Sequence, residues 1–400
     1  MKGSASKRLE LIRDSPIGRL TELASKSEDV IHLEQGEPSF KTPEHIIEAA
    51  TAAMKNGFTH YGPPKGLREL REAIAEKLSR ENHLPVEGSE EVLVVSGTQE
   101  AMFLAALTFL DAGDEALILD PYYPAYFEET LIAQAKPVTV PLNEKNGYQI
   151  EAEHLQQYVT PKSKMIWFNN PVNPTGHVFS NKDLEQIAEV AQKNDLLVFA
   201  DEIYEKLVYD DVEHASIGAL PGMQDRVITV NGFSKSYAMA GWRIGYVAAE
   251  KELLEQMSKL HYYTILCPST IAQKAALAAL VGPQDCVQEM VREYDKRRLA
   301  VLEALKKIDG ISYGSPKGAF YVFPNISKFN LNDDVLAETL VREFGVATVP
   351  GSGFGKEGVG HLRISFSASM IEIEEGMNRF RKALQQVPSH GGAKDTHVTH

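Results

Sequence analysis

The sequence predicts an α/β fold, in which a large domain holds a mostly parallel mixed sheet of about seven strands and a smaller α+β domain adjoins it. Two observations predict this fold. Short apolar runs alternate with amphipathic helical patterns between residues 91 and 249, and mainly helical segments with a few strand-like runs follow from about residue 250. The first pattern is typical of a parallel sheet covered by helices on both faces.

Seven segments have the length and the apolar, β-branched composition of strands. They span residues 91–97, 115–120, 136–142, 164–170, 196–204, 226–233 and 243–249. Helical patterns lie between them. In one of these, Leu184, Ile187 and Ala191 recur at helical spacing, and Ser180 or Asn181 is placed to cap the helix.

The change of pattern sets the predicted domain boundaries. Residues 1–45 are expected to form an N-terminal arm and part of the small domain, and residues 46–285 the large domain. Residues 286–388 are expected to form the small C-terminal domain. The polar, glycine-containing segment 389–400 is predicted to be a disordered tail.

Composition narrows the class of protein. The 400 residues carry a formal charge of −14, which argues against a nucleic-acid partner and against an anionic membrane surface. The two cysteines, Cys267 and Cys286, imply no disulfide framework. The N-terminus has no apolar signal-peptide core, and the twelve histidines show no metal-binding spacing. We therefore expect a cytoplasmic protein with no metal site.

Chemically suggestive residues follow several predicted strands. In open α/β sheets ligands bind outside the carboxyl ends of the strands, so residues placed there are candidates for one site. They are Gly97, Thr98 and Gln99 after the first strand, Tyr123 after the second, Asn173 after the fourth, Asp201 and Tyr204 at the fifth, and Ser234 and Lys235 after the sixth.

Asp201 and Lys235 each allow two interpretations when taken alone. A carboxylate after an apolar strand needs a cation or a capping role, so Asp201 alone is well explained as a helix cap or a structural ion pair. Lys235 alone is well explained as an exposed surface lysine. A desolvated amine with a lowered pKa, as an imine-forming lysine requires, is the second interpretation of Lys235.

The segment around Lys235, SKSYAMAGWRIGY, resembles the lysine signature of the class I/II (fold type I) pyridoxal-phosphate-dependent aminotransferases. Further segments resemble that family in the same chain order, and the likeness covers residues 15–384. They are YGPPKGLRELREAI (61–74), SGTQEA (96–101), DPYYPAY (120–126), NNPVNPTG (169–176), DEIY (201–204) and HLRISFS (361–367).

The resemblance implies a transaminase that moves the amino group of an L-amino acid to a 2-oxo acid, by a ping-pong mechanism through pyridoxamine phosphate. Lys235 would hold the cofactor aldehyde as a Schiff base and then carry the α-proton. Asp201 would pair with the pyridine nitrogen. Tyr204 and Asn173 would hydrogen-bond the phenolic oxygen, and Tyr123 would stack on the ring.

The resemblance also implies how the cofactor phosphate is held. Arg243 would bind two of its oxygens, assisted by the hydroxyl of Ser234 and by the backbone at Thr98 and Gln99. Tyr61 would reach the phosphate of the neighbouring subunit, so a homodimer is expected. The implied cofactor-binding residues are Gly97, Thr98, Gln99, Tyr123, Asn173, Asp201, Tyr204, Ser234, Lys235, Arg243 and Tyr61.

On the substrate side, the resemblance implies that Arg363 binds the α-carboxylate with help from Gly36 and Asn173. In one bacterial aspartate-aminotransferase branch, a lysine of the phosphate-binding turn holds a second carboxylate, and Gln99 stands at that place here. Aspartate is therefore doubtful as a substrate, although Arg19 or Lys65 could supply the cation. A neutral or aromatic amino donor is preferred, with 2-oxoglutarate or pyruvate as acceptor.

Two other functions stay open. A pyridoxal-phosphate lyase or cyclase-like synthase on the same scaffold would share Lys235, Asp201 and Arg243, because such reactions begin with the same proton removal. A ligand-sensing regulator would need a DNA-binding segment, and no helix-turn-helix pattern precedes residue 15. The aromatic pair Tyr262 and Tyr263 could line the pocket, but a packing role is the preferred interpretation.

Overall fold

The computed structural model describes residues 6–386. Its α-helices are α1 (Pro16–Ala24), α2 (Glu44–Lys55), α3 (Arg68–Asn82), α4 (Thr98–Phe109), α5 (Pro124–Ile132), α6 (Ala152–Gln156), α7 (Asn181–Asn194), α8 (Lys251–Ile265), α9 (Thr270–Val281), α10 (Asp285–Leu305), α11 (Asp333–Phe344) and α12 (Met370–Gln386). Within residues 6–386, no helix has the length and apolar character needed to cross a membrane.

The strands fall into one large and two small sheets. They are β1 (Ile31–His32), β2 (Val92–Val95), β3 (Glu115–Asp120), β4 (Lys136–Pro141), β5 (Ser163–Asn169), β6 (Leu197–Asp201), β7 (Val227–Gly232), β8 (Gly245–Ala248), β9 (Tyr321–Val322), β10 (Val346–Ala347), β11 (Val349–Pro350) and β12 (Leu362–Ser365).

The large sheet has seven strands in the order β2-β8-β7-β6-β5-β3-β4. Strand β8 runs antiparallel to both of its neighbours, and the other pairings are parallel. Each of the seven predicted segments overlaps one of these strands, and only β5 begins outside its segment, one residue earlier than predicted. The predicted mixed, mostly parallel sheet is therefore confirmed.

The end of β6 differs from the sequence prediction, which continued the strand to residue 204. The strand ends at Asp201, because the carboxylate of Asp201 accepts a hydrogen bond from the backbone N–H of Ile203 at 3.1 Å and the chain turns there. As a result Tyr204 leaves the sheet and projects from the following turn. A carboxylate that bonds the backbone two residues on competes with strand pairing, which periodicity does not reveal.

Helices cover both faces of the large sheet. On one face, the buried side of α7 carries Leu184, Ile187 and Ala191, as predicted, and packs on apolar residues of β5 and β6. Ser180 caps α7 and forms a capping box with Asp183, so the first of the two predicted caps is the one used.

A second core lies among α1, α10, α11, α12 and the small sheets. The antiparallel sheet β11-β12-β9 and the parallel pair β1-β10 contribute to it, and Leu20 and Ala24 of α1 are fully buried there. The domain boundaries remain predictions. The predicted disordered tail, 389–400, lies outside the described residues.

Candidate active site

A cavity of about 210 Å³ opens at the carboxyl ends of β5, β6 and β7. All the predicted cofactor- and substrate-binding residues line it except Gly97 and Tyr61. Its lining is Ile17, Gly36, Thr98, Gln99, Met102, Tyr123, Tyr126, Asn169, Asn173, Asp201, Ile203, Tyr204, Ser234, Lys235, Arg243, Tyr321 and Arg363.

Lys235 follows β7 and is half-buried in this cavity. Its Nζ donates a hydrogen bond to the backbone carbonyl of Gly36 at 2.5 Å and lies 5.8 Å from the ring centre of Tyr204. Burial disfavours the ammonium form and lowers the pKa of Lys235 from 10.5 to about 8. A substantial neutral fraction of this amine is therefore present near pH 8, as a nucleophile or a base requires.

Asp201 lies at the floor of the cavity and is only 4% exposed. Its carboxylate accepts hydrogen bonds from the Tyr126 hydroxyl, at 2.9 Å, and from the N–H of Ile203. Burial raises the pKa of Asp201 from 3.8 to about 6. Within residues 6–386 no cationic side chain forms a salt bridge with it, so the ionised carboxylate lacks the positive partner that burial demands.

Gly97 and Arg243 meet at another wall of the cavity. Gly97 has φ +80° and is the N-cap of α4, and a Cβ there would lie 2.3 Å from Nη2 of Arg243. The guanidinium therefore lies directly against the first turn of α4, whose leading N–H groups have no acceptor within the helix. A guanidinium beside a helix N-terminus is well suited to bind an anion such as a phosphate.

Arg363 projects from β12 and is 1% exposed. Its guanidinium donates to Asn173 Oδ1 at 3.0 Å and to the backbone carbonyl of Glu34, and its Cζ lies 4.4 Å above the ring of Tyr321. Its Nε has no acceptor, and no carboxylate pairs with this arginine in the part of the chain that the structure describes. A buried cation without an anion is suited to the carboxylate of a ligand.

Two tyrosines of the cavity had no predicted role. Tyr126 bonds Asp201, and the hydroxyl of Tyr321 lies 2.8 Å from that of Tyr204. Gly36 is close to Tyr321, since a Cβ at residue 36 would lie 2.6 Å from the tyrosine hydroxyl. Both tyrosines occur in apolar segments, where a core role is the default expectation. The only signal in the sequence was the hydroxyl group of each tyrosine, which needs a hydrogen-bond partner when it is buried.

Tyr61 lies outside the cavity and is 85% exposed. Tyr263 is 86% and Tyr262 43% exposed, so the packing role that we expected for this pair is wrong. Their rings meet edge to face on the surface rather than in a core. The loop after Tyr61 lies beside them, because His261 bonds the carbonyl of Pro64 at 2.8 Å.

The two basic residues named as substitutes for a lysine at position 99 are engaged elsewhere. Arg19 pairs with Asp334 and Glu338 of α11, and Nζ of Lys65 lies 3.7 Å from a carboxylate oxygen of Glu90. Neither lines the cavity. Gln99 itself donates from its amide to Glu129 at 2.8 Å.

A second cavity, the side cavity, of about 320 Å³ adjoins the first and shares Ile17, Gln99 and Tyr123 with it. Its charged residues are Arg13, Asp14 and Glu128. The rest of its wall comes from the chain before and within α1, the start of α5 and the turn at residues 352–353.

Comparison with known proteins identifies the family. The family model for aminotransferase class I and II matches residues 28–380. The chain belongs to this family. It is therefore a pyridoxal-phosphate-dependent transaminase, and the function, fold and cofactor predicted from its sequence are confirmed.

Individual members of the aminotransferase family match along almost the whole chain. An aspartate aminotransferase of Pyrococcus abyssi is 45% identical over 95% of this chain and 98% of its own. An aromatic-amino-acid aminotransferase of Thermococcus litoralis is 42% identical with the same coverage. The structure of a Thermus thermophilus aspartate aminotransferase with maleate superposes with a TM-score of 0.91 at 37% identity, covering 96% of this chain and all of its own.

The residues of this aminotransferase fit pyridoxal phosphate at three places. The buried amine of Lys235 suits an aldehyde, and the unpaired carboxylate of Asp201 suits a protonated ring nitrogen. The close approach of Arg243 to Gly97 forms a cradle that a Cβ would fill, beside a helix N-terminus suited to a phosphate.

Proposed function

We propose that this aminotransferase takes its amino group from an L-amino acid with an uncharged side chain, neutral or aromatic, and gives it to a 2-oxo acid such as 2-oxoglutarate or pyruvate. The placement of Lys235, Asp201 and Arg363 in one cavity supports the transamination, and the charges of the side cavity support an uncharged side chain. We further propose that the enzyme acts as a cytoplasmic homodimer.

Each of these three side chains has a separate task in the proposed reaction. Pyridoxal phosphate supplies an aldehyde that condenses with amines and a ring that accepts the electron pair left when the α-proton departs. Arg363 binds the α-carboxylate and thereby fixes the amino acid over Lys235. The neutral amine of Lys235 takes the proton from Cα and returns it in the reverse direction. Asp201, ionised above its raised pKa of about 6, supplies negative charge at the cavity floor.

The polar residues around these three side chains complete the proposed site. Asn173 holds Arg363 at 3.0 Å, and Asn173 and Tyr204 are proposed to hydrogen-bond the cofactor's phenolic oxygen. Tyr123 is proposed to cover the ring face. The hydroxyl of Ser234 and the first amides of α4 are proposed to join Arg243 in binding the phosphate.

The charges of the side cavity support an uncharged substrate side chain. Its one cationic residue, Arg13, is neutralised by Glu128, with Nη2 at 2.8 Å and Nε at 2.9 Å from the carboxylate, and stacks on Phe127. Asp14 adds a second negative charge to the lining. A substrate with a second carboxylate would find no free cation there. The relatives differ in substrate by name, as one is called an aspartate and another an aromatic-amino-acid aminotransferase.

The exposed tyrosines support a homodimer. Tyr61, Tyr262 and Tyr263 are exposed on the isolated chain, and we propose that they belong to one aromatic patch, of the kind that is typical of surfaces that bind another protein. Arg243 is also exposed. We propose that a second copy covers the patch, and that Tyr61 of each subunit reaches the phosphate bound by Arg243 of the other.

A half-reaction screen tests the donor. The enzyme with bound pyridoxal phosphate is mixed with each of the twenty amino acids without an acceptor, and the 2-oxo acid released per active site is measured. We expect close to one equivalent from neutral or aromatic amino acids and less from aspartate. Continuous release of ammonia would instead indicate the lyase, and aspartate as the best donor would contradict the proposed specificity.

A mixing experiment tests the shared site. Lys235→Ala and Tyr61→Ala subunits, each of which is expected to be weakly active alone, are unfolded, mixed and refolded together. If Tyr61 serves the neighbouring site, random pairing restores about a quarter of wild-type activity, because one site of each mixed dimer is intact. No recovery, or a monomer by sedimentation, would overturn the shared site.

A further inference from the structure

Glu129 is a buried acidic residue that the proposed mechanism does not use. It lies on α5, is 6% exposed, and contacts Gln99, one of the residues that line both cavities. One carboxylate oxygen accepts from Nε2 of Gln99 at 2.8 Å, and the other has no partner among the described residues. A buried carboxylate held by a single amide is costly, so its presence calls for an explanation.

The Glu129 contact fixes which end of the Gln99 side chain faces the ligand space. An ionised carboxylate accepts hydrogen bonds only, so Gln99 must turn its NH₂ group towards Glu129. The carbonyl oxygen of Gln99 then faces away from Glu129, and it lies 3.5 Å from the hydroxyl of Tyr123. Gln99 and Tyr123 line both cavities, so an acceptor rather than a donor is presented there.

We propose that Glu129 is a specificity-determining residue: it holds Gln99 with its carbonyl oxygen towards the shared wall, and so disfavours amino acids with a second carboxylate. Two repulsive elements act together. The carbonyl oxygen of Gln99 offers no hydrogen bond to a carboxylate, and the charge of Glu129 lies behind it in a water-poor region. Glu128 and Asp14 add to this field, and Glu128 already occupies Arg13.

This inference rests on the proposed transamination and refines its substrate class. It also predicts that a cation introduced at position 99 alone would be insufficient to bind a second carboxylate. A lysine at position 99 would pair with Glu129, as Gln99 does, and its charge would then be neutralised by Glu129 rather than by a substrate carboxylate. The carboxylate selectivity is therefore expected to depend on residues 99 and 129 together.

A double-mutant cycle of Gln99→Lys and Glu129→Gln tests the proposal. The kcat/KM values for aspartate and phenylalanine are measured at pH 8, because burial raises the pKa of Glu129 to about 7 and the carboxylate is then ionised. We expect Glu129→Gln to raise the aspartate-to-phenylalanine ratio about tenfold. The double variant should exceed the product of the two single effects, also by about tenfold.

Glu115→Gln is the matched control, since Glu115 is a buried carboxylate at the opposite end of β3, held by Lys136 and Thr160. The aspartate-to-phenylalanine ratio of kcat/KM in Glu115→Gln should equal that of the wild type. An unchanged ratio in Glu129→Gln together with simple multiplication in the double variant would overturn the role of Glu129. If Glu129→Gln does not fold, the same ratio in Gln99→Leu, which lacks the carbonyl oxygen, should rise, and no rise would overturn it. A wild-type enzyme that transaminates neither amino acid would refute the proposed function instead.

Discussion

Two buried clusters of charged residues lie on opposite sides of the turn that follows β6, and they differ in how their charges are paired. On the cavity side, Asp201 and Arg363 have no partner of opposite charge in the described chain. On the other side, Lys77 pairs with Glu205, and Asn82 also bonds that carboxylate, at 2.7 Å.

In the second cluster, which we call the closed cluster, the polar side chains bond to one another. Its members are Lys77, Asn82, Glu202, Glu205 and Ser216. Ser216 donates to Glu202 at 2.6 Å, and Asn82 donates to Ser216 at 3.0 Å. Burial raises the pKa of Glu202 to about 8. Burial also acts to raise the pKa of Glu205, but Lys77 and other nearby cations outweigh it and lower that pKa to about 2.

This difference in charge pairing indicates which of the two clusters needs a ligand. A cluster that satisfies its own polar groups stabilises the folded chain, whereas a cluster with spare charges depends on a bound molecule to complete it. The cluster on one side of the turn therefore stabilises the fold, and the cluster on the other side is available to bind a ligand. Substitutions on the two sides should have different consequences.

The largest expected effect comes from Lys235→Ala. Without the amine, no side chain of the cavity carries the α-proton, so turnover should fall by roughly 10³-fold or more while the folded protein remains stable. Steady-state transamination and thermal unfolding are measured on the same preparation. In the wild type, borohydride reduction and peptide mass mapping should place the cofactor on the peptide that holds Lys235. A fully active variant would remove Lys235 from the mechanism.

The closed cluster should respond in stability instead. Lys77→Met leaves the buried carboxylate of Glu205 without its cation and should lower the free energy of unfolding by about 3–5 kcal/mol. Urea denaturation measures this effect, and the double variant Lys77→Met/Glu205→Gln should recover part of the loss. Equal stability of Lys77→Met and the wild type would contradict the distinction between the clusters.

Lys235, on the cavity side, should destabilise the cofactor-free protein at low pH. The pKa of Lys235 is about 8 in the fold against 10.5 as its ordinary value, so the unfolded chain holds the proton more tightly. Below pH 8 the wild type should therefore be less stable than Lys235→Met by at most about 3 kcal/mol, and the difference should vanish as the pH rises from 8 to above 10. Urea titrations at several pH values test this, and a pH-independent difference would contradict it.

Arg363→Lys should give the smallest of these effects. The ammonium keeps the charge but loses the two-pronged geometry, so KM for the amino acid should rise about 10–100-fold with the cofactor still bound. Steady-state kinetics supply KM, and cofactor content is measured in parallel. Unchanged kinetics would remove Arg363 from carboxylate binding.

The sequence predicted the framework of the sheet because its strands are buried apolar runs separated by helices. Several residues that line the main cavity were predicted because they follow strand ends, whereas Gly36, Arg243 and Arg363 were predicted only from the resemblance to the aminotransferase family. It did not predict the closed cluster, since Lys77 and Glu205 lie 128 residues apart and neither is in an unusual local pattern. The contact of Gln99 with Glu129 was missed for the same reason, as it depends on how α4 packs beside α5.

The surface tyrosines illustrate a different limit. Adjacent aromatic residues within a helix are equally compatible with a core and with an exposed patch, so periodicity could not place Tyr262 and Tyr263. Tyr126 and Tyr321 raised the opposite difficulty. Their apolar neighbours indicated burial, and only three-dimensional packing shows that their hydroxyls reach Asp201 and Tyr204.

The position at which β6 ends has a consequence for inherited variation. Asp201, the last residue of β6, faces the cavity, and Glu202, the first residue after the strand, bonds Ser216 of the closed cluster. Two adjacent codons thus control separable traits, one affecting the activity of each molecule and the other the number of molecules that survive in the cell. A mutational scan that scores abundance and growth separately should find that the affected phenotype changes from codon 201 to codon 202.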